Sequence, residues 1–137
     1  QGLLDRRKGF ADVLKEPSWL GYRDQPFAAG IVFEGKAIAL KKIVLSYAKN
    51  IGAYSFPPEE VEVWAGENKN QLKLIKKMPV EQPEGKQPVR VEALSIPLES
   101  KAHQFYKVIA KPVAKLPQWH NGKGEKGWVF VDEMFFY

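Results

Sequence analysis

After Trp19 the chain runs in short apolar segments: Phe27–Phe33, Ala37–Ala48, Val61–Ala65, Leu72–Ile75, Val89–Ile96, Phe105–Ala110 and Trp128–Phe136. Each is rich in β-branched or aromatic residues and bounded by Gly, Pro or Asn, which is how strands read. Val61, Val63 and Ala65 alternate with Glu60, Glu62 and Trp64, and Val89, Val91 and Ala93 alternate with Arg90 and Glu92. A period of two predicts half-buried strands, in sheets with one wet face. No long amphipathic helix separates the segments, so the pattern predicts an all-β antiparallel β-sandwich of about seven to eight strands and argues against an α/β crossover fold.

The first stretch, Gly2 to Glu16, is mixed. Phe10, Val13 and Leu14 have the spacing of a short helical turn, and Pro17 would end it, so a lead-in loop or one short helix is expected. Gln82 to Pro88 holds prolines, a glycine and charges and reads as an exposed loop, because strand texture resumes beyond it. With no boundary, no internal repeat and 137 residues at 45% hydrophobic content, residues 1–137 read as one domain.

Several function classes drop out. There is no cysteine, so no disulfide, thiolate nucleophile or cysteine-based metal site can form. Apolar runs such as Ile31 to Phe33 and Ile43 to Leu45 fall far short of the roughly 20 residues that cross a bilayer, so membrane insertion is not expected. The chain opens with Gln1 and shows no basic leader followed by an apolar run, which reads as a removed signal or, the favoured reading, a fragment of a larger protein. The net charge of +5 is spread over scattered lysines, the densest run being Arg6, Arg7 and Lys8. Scattered charge reads as a solvated surface and argues against a nucleic-acid partner.

Three segments read in order carry a resemblance: WLGYRDQPFAAGIVFEG (Trp19 to Gly35), GAYSFPPEEVEVWAG (Gly52 to Gly66) and LPQWHNGKGEKGWVFVDEM (Leu116 to Met134). Together they resemble the discoidin-like domains, also called coagulation-factor-type C or galactose-binding-like domains, that bacteria append to glycoside hydrolases such as chitobiase-like hexosaminidases. The resemblance runs over nearly the whole chain. It implies an eight-stranded jelly roll whose loops at one end bind sugars, often with a structural calcium ion nearby, in an exported protein, periplasmic or at the cell surface. Asp5 and Glu133 would be the side-chain ligands of such a calcium. Many relatives carry an Asp-Gly pair in the first loop, whereas Asp5 is followed by Arg6, Arg7 and Lys8, whose charge disfavours a cation.

A sugar presents apolar C–H faces and many hydroxyls, so its site needs an exposed aromatic platform edged by planar polar groups. Trp19, Tyr22, Tyr54 and Trp119 lie in loop-like sequence and are the platform candidates. The alternative for Trp19 and Trp119 is an aromatic tucked over the end of the sandwich, and for Tyr54 and Phe56 a plug that closes the loop. Trp64 and Trp128, inside strands, read as core or sheet-face residues. His120 can meet a sugar hydroxyl or pin its own loop to a backbone group, whereas His103 reads as plain surface. Arg23 and Asp24 supply planar and charged groups, and Asp24 with Gln25 can equally be turn residues before Pro26.

No nucleophile with its base, His-Glu-x-x-His string or Gly-x-Ser-x-Gly string is present, so catalysis by this domain is not expected. The expected function is a carbohydrate-binding accessory domain whose partners are a glycan and the catalytic domain of the same chain. A structural domain that packs on its parent enzyme without binding sugar is the alternative.

Overall fold

A computed structural model describes residues 11–13, 20–22, 27–33, 35–85, 87–99 and 101–137. Its strands are β1 (Ala11–Val13), β2 (Leu20–Tyr22), β3 (Phe27–Phe33), β4 (Lys42–Lys49), β5 (Glu60–Gly66), β6 (Lys73–Pro79), β7 (Arg90–Pro97), β8 (Phe105–Lys111) and β9 (Val129–Phe136). The seven expected strands are β3 to β9. The opening stretch differs from expectation, because Ala11–Val13 pairs along β3 as a strand and not as a helical turn.

Two sheets face each other, one in the order β1-β3-β8-β5-β6 and the other β2-β9-β4-β7. Among the described residues the pairings between these strands are antiparallel. Ile31 and Phe33 of β3, Val61 and Val63 of β5 and Tyr106 and Val108 of β8 meet Ile43 and Leu45 of β4, Ile96 of β7 and Met134 and Phe136 of β9 in one core. Phe33 and Tyr106 meet edge to face at 6.1 Å. The Tyr106 hydroxyl donates to Ile38 O and accepts from Leu40 N, holding the segment before β4 against the core.

Two irregularities keep apolar residues inside. Between β4 and β9 the register steps from Ser46 opposite Glu133 to Tyr47 opposite Val131, so one extra residue of β9 lies unmatched. That bulge resets the side-chain parity, and Val129 and Val131 face the core together with Met134 and Phe136. Between β5 and β6 the register steps from Val63 opposite Lys76 to Trp64 opposite Leu74, which lets Ile75 and Met78 both pack on the core.

A smaller cluster of Ile51, Phe56, Val113 and Leu116 fills the end of the sandwich. Among the described residues no helix is long and apolar enough to cross a membrane.

Candidate functional site

The smaller cluster is roofed by two loops. In the first, the 3-10 turn η1 (Ile51–Ala53) is capped by the Asn50 side chain, which accepts from Ala53 N at 3.2 Å. Tyr54 follows in the left-handed region at φ 67°, an unusual conformation for a bulky side chain, and turns the chain back. Three bonds then fix it: Ser55 Oγ donates to Ala48 O at 2.7 Å, Phe56 N to Trp128 O at 3.0 Å and Trp128 N to Tyr54 O at 2.8 Å.

The second loop, residues 112–128, is cross-tied by its own backbone, with Leu116 N donating to Glu125 O and Gly127 N to Val113 O. His120 joins the two loops. Gly122 N donates to its Nδ1 at 2.8 Å, so the ring proton of the neutral imidazole sits on Nε2, which donates to Ile51 O at 2.6 Å. The ring is buried and meets Tyr54, Phe56 and Trp119 edge-on at 5.0, 5.4 and 5.8 Å. Both nitrogens are thereby occupied, which is the loop-pinning reading of His120 and leaves it no valence for a sugar hydroxyl.

Tyr54 lies half-buried over Gly122, so close that a Cβ there would stand 2.5 Å from the phenol ring. Trp119 tilts over Phe56 at 6.1 Å between centroids and 31° between planes, yet 38% of it stays exposed. Among the described residues it is the one aromatic among the exposed large hydrophobics. The fold thus brings Tyr54, Trp119 and His120 together. Trp19, Arg23, Asp24 and the side chain of Tyr22 lie outside the described residues, although Tyr22 itself falls in β2.

Asp5 also lies outside the described residues, and Glu133 sits half-buried on β9 opposite Ser46. Among the described residues no three His, Asp or Glu side chains converge on one point. His103, expected as plain surface, is half-buried instead, because it bridges Ile38, packs edge-on to Tyr106 at 5.7 Å and sets Nδ1 3.2 Å from Glu67.

A second feature was not foreseen. Where β6 crosses to β7 the two sheets part, and a groove of about 550 Å³ opens between them. Positions 43, 45, 47 and 49 of β4 point inward, but the last two are Tyr and Lys. Lys49 is 3% exposed. Its Nζ bonds Gln87 Oε1 and lies 3.0 Å from Glu92 Oε2. Glu92 also receives the Tyr47 hydroxyl at 3.2 Å and Arg90 Nε at 2.8 Å. The Lys49 ammonium, by its hydrogen bond and charge, holds the Glu92 carboxyl below the usual range, with Tyr47 and Arg90 adding to it. Burial, reinforced by the Glu92 charge, pushes the Tyr47 phenol up to about 12.

The apolar alternation of β7 therefore lies the other way round from expectation. Val89 and Val91 are exposed on the outer face, while Glu92, Leu94 and Ile96 point in. Ile96 belongs to the core and sets the parity, and Glu92 is accepted inside because Lys49 meets it. Sequence texture signalled an alternating strand but not its polarity, since a buried lysine looks like any other lysine in one dimension.

The family model described as anaphase-promoting complex, subunit 10 matches residues 10–130. No curated protein sequence matches the chain. Among solved structures it is similar to a family 32 carbohydrate-binding module of Clostridium perfringens in complex with GalNAc-beta-1,3-galactose. That match has 14% identity and a TM-score of 0.53, covering 100% of this chain and 84% of the other. It is similar to a second such module, from a family 31 glycoside hydrolase of the same organism, at 13% identity and a TM-score of 0.55, covering 93% and 72%. A third is the C-terminal domain of a chitobiase from Bacteroides fragilis, at 15% identity and a TM-score of 0.51, covering 87% and 71%. At such identities the likeness speaks for the fold, a galactose-binding-like β-sandwich.

Proposed function

The chain belongs to the anaphase-promoting complex, subunit 10 (APC10) family, a discoidin-like fold, and from that premise we propose that it is a non-catalytic carbohydrate-binding accessory domain. In this reading it serves an exported bacterial glycoside hydrolase of the chitobiase kind. The observation that carries the reading is Trp119, exposed on a rigid aromatic base of Phe56 and the pinned His120. An indole fixed in this way offers a flat apolar face to the C–H side of a pyranose, with little side-chain entropy left to lose on binding. Holding an attached hydrolase near its glycan raises the effective substrate concentration and requires no chemistry from the domain itself. The solved relatives that include a glycan complex and modules of glycoside hydrolases support the reading by analogy of fold.

The test is glycan retention by array and pull-down, with calcium and with chelator, for the native chain and for Trp119→Ala. The variant is expected to lose about tenfold or more in affinity, the effect of removing a central aromatic anchor. Its melting temperature should fall by no more than about 4 °C, since only part of the indole is buried. Equal retention by both proteins would overturn the assignment of Trp119.

A second reading rests on a separate observation. Val89 and Val91, 68% and 51% exposed, stand on the outer face at the free edge of the four-stranded sheet, and the matching family model is named for a subunit of a complex. A protein-contact domain that packs on its parent enzyme would use that face. Val91→Lys would then weaken association with the parent enzyme and leave glycan retention as it was.

A further inference from the structure

The groove between the sheets is built of side chains that a core position does not call for. Burying an ammonium costs several kcal/mol unless it is paired and hydrogen-bonded, and Lys49 meets that requirement only in part. An ammonium has three donors, and its described bonds, to Gln87 and Glu92, use two. Arg90 commits Nε to Glu92, and more than half of its side chain is exposed, so its terminal nitrogens remain for another acceptor. Gln82 donates from Nε2 to Pro58 O at 2.9 Å and to Val80 O at 3.2 Å. Its Oε1 is the one side-chain polar atom that is buried without a hydrogen-bond partner among the described residues. Donors are thus left over around a single groove, while the Gln82 acceptor lies buried beneath its lining.

The charge of the lining decides the class of ligand. Lys49 and Arg90 face Glu92, which they already neutralise, and Glu81 and Glu84 add two more acids to the lining. A phosphate or sulfate would meet no surplus of positive charge there. A neutral ligand whose hydroxyl oxygens accept would suit the leftover donors, and Pro57 and Leu94 supply apolar surface for its C–H groups. The volume of about 550 Å³ is in the range of small-ligand sites.

We propose that this inter-sheet groove is a second binding site, separate from the Trp119 end, that takes a neutral polyhydroxylated unit of the size of a sugar residue. Lys49 and Arg90 donate to its hydroxyl oxygens. The site does not depend on the reading of Trp119.

The experiment is a two-dimensional amide NMR titration of the full chain with galactose, N-acetylgalactosamine, N-acetylglucosamine, glucose and mannose, each taken to tens of millimolar, and with sodium sulfate. It is run on the native protein, Trp119→Ala, Arg90→Ala and the charge-neutral pair Lys49→Met with Glu92→Gln. At least one of the sugars is expected to shift the Gln82 side-chain amide together with backbone amides of residues 47–49 and 90–92. Those shifts should persist in Trp119→Ala and weaken at least tenfold in Arg90→Ala, whose exposed side chain makes folding insensitive to the change. The paired variant, if its spectrum stays dispersed, should lose them as well. Shifts confined to residues 51–56 and 116–122, or no shifts with any sugar, would overturn the groove site whether or not the Trp119 end binds. So would groove shifts with sulfate alone, or groove shifts unchanged in Arg90→Ala.

Discussion

His120 and Gly122 act as one joint. The imidazole accepts from Gly122 N and donates to Ile51 O, so removing it leaves two buried backbone groups without partners. Each such loss costs about 1–3 kcal/mol, and His120→Ala is expected to destabilise the chain by about 2–6 kcal/mol in urea unfolding. Gly122→Ala should destabilise too, by about 1–3 kcal/mol, because its methyl would overlap the Tyr54 ring at 2.5 Å. Stability unchanged in both variants would mean that the loop is not pinned in this way. At this scale the sequence was informative about residue type and silent about valence. Trp119, His120 and Tyr54 stood out as aromatics in a Gly- and Pro-rich setting. Whether the imidazole faced a ligand or Ile51 depended on a carbonyl 69 positions away, which no local pattern reports.

Strand positions were legible because alternation is local, whereas strand facing was not wholly so. β5 is read correctly from its own residues, with Val61, Val63 and Ala65 all at 1% exposure or less. β7 is not, because its facing is decided by Ile96 at one end and by Lys49 on a neighbouring strand. β9 shows the same dependence on a non-local device. Val-Phe-Val-Asp-Glu-Met-Phe-Phe has apolar residues of both parities, and only the bulge against β4 allows Val129, Val131, Met134 and Phe136 to share one face. Deleting Asp132 removes the extra residue, so that Glu133 follows Val131 directly and the four apolar side chains keep one face without a bulge. The deletion variant is expected to keep a cooperative thermal transition by circular dichroism, and loss of that transition would show that position 132 does more than fill the bulge.

Across the whole molecule, charge sets the pH window in which the sandwich is stable. Glu92 in the groove is held below its ordinary value by Lys49, and Glu62 on the outer face by the Trp64 indole N–H and then Lys111. A carboxyl whose folded pKa is depressed contributes stability above its unfolded value, near 4.5, and loses that contribution as the pH falls through the folded value. The alkaline side works through the opposite shift. Tyr47 is raised from 10.0 to about 12, so its contribution is complete below pH 10.0 and is lost as the pH climbs towards 12. Lys111, raised by Glu62 and Glu60, acts in the same direction, although its exposure to solvent weakens the effect. Urea unfolding across pH should therefore show a plateau with two falling limbs. Tyr47→Phe is expected to flatten the alkaline limb and to make the acid limb slightly shallower, because Glu92 loses the hydrogen bond from the phenol. Glu92→Gln should alter both, because its charge is lost in acid and also helps keep the Tyr47 phenol protonated. The alkaline limb of Glu92→Gln would then become shallower, since Tyr47 is raised by burial alone. An alkaline limb identical to that of the native chain would show that Tyr47 and Glu92 do not titrate as partners, and would remove the electrostatic basis for treating the groove as one network.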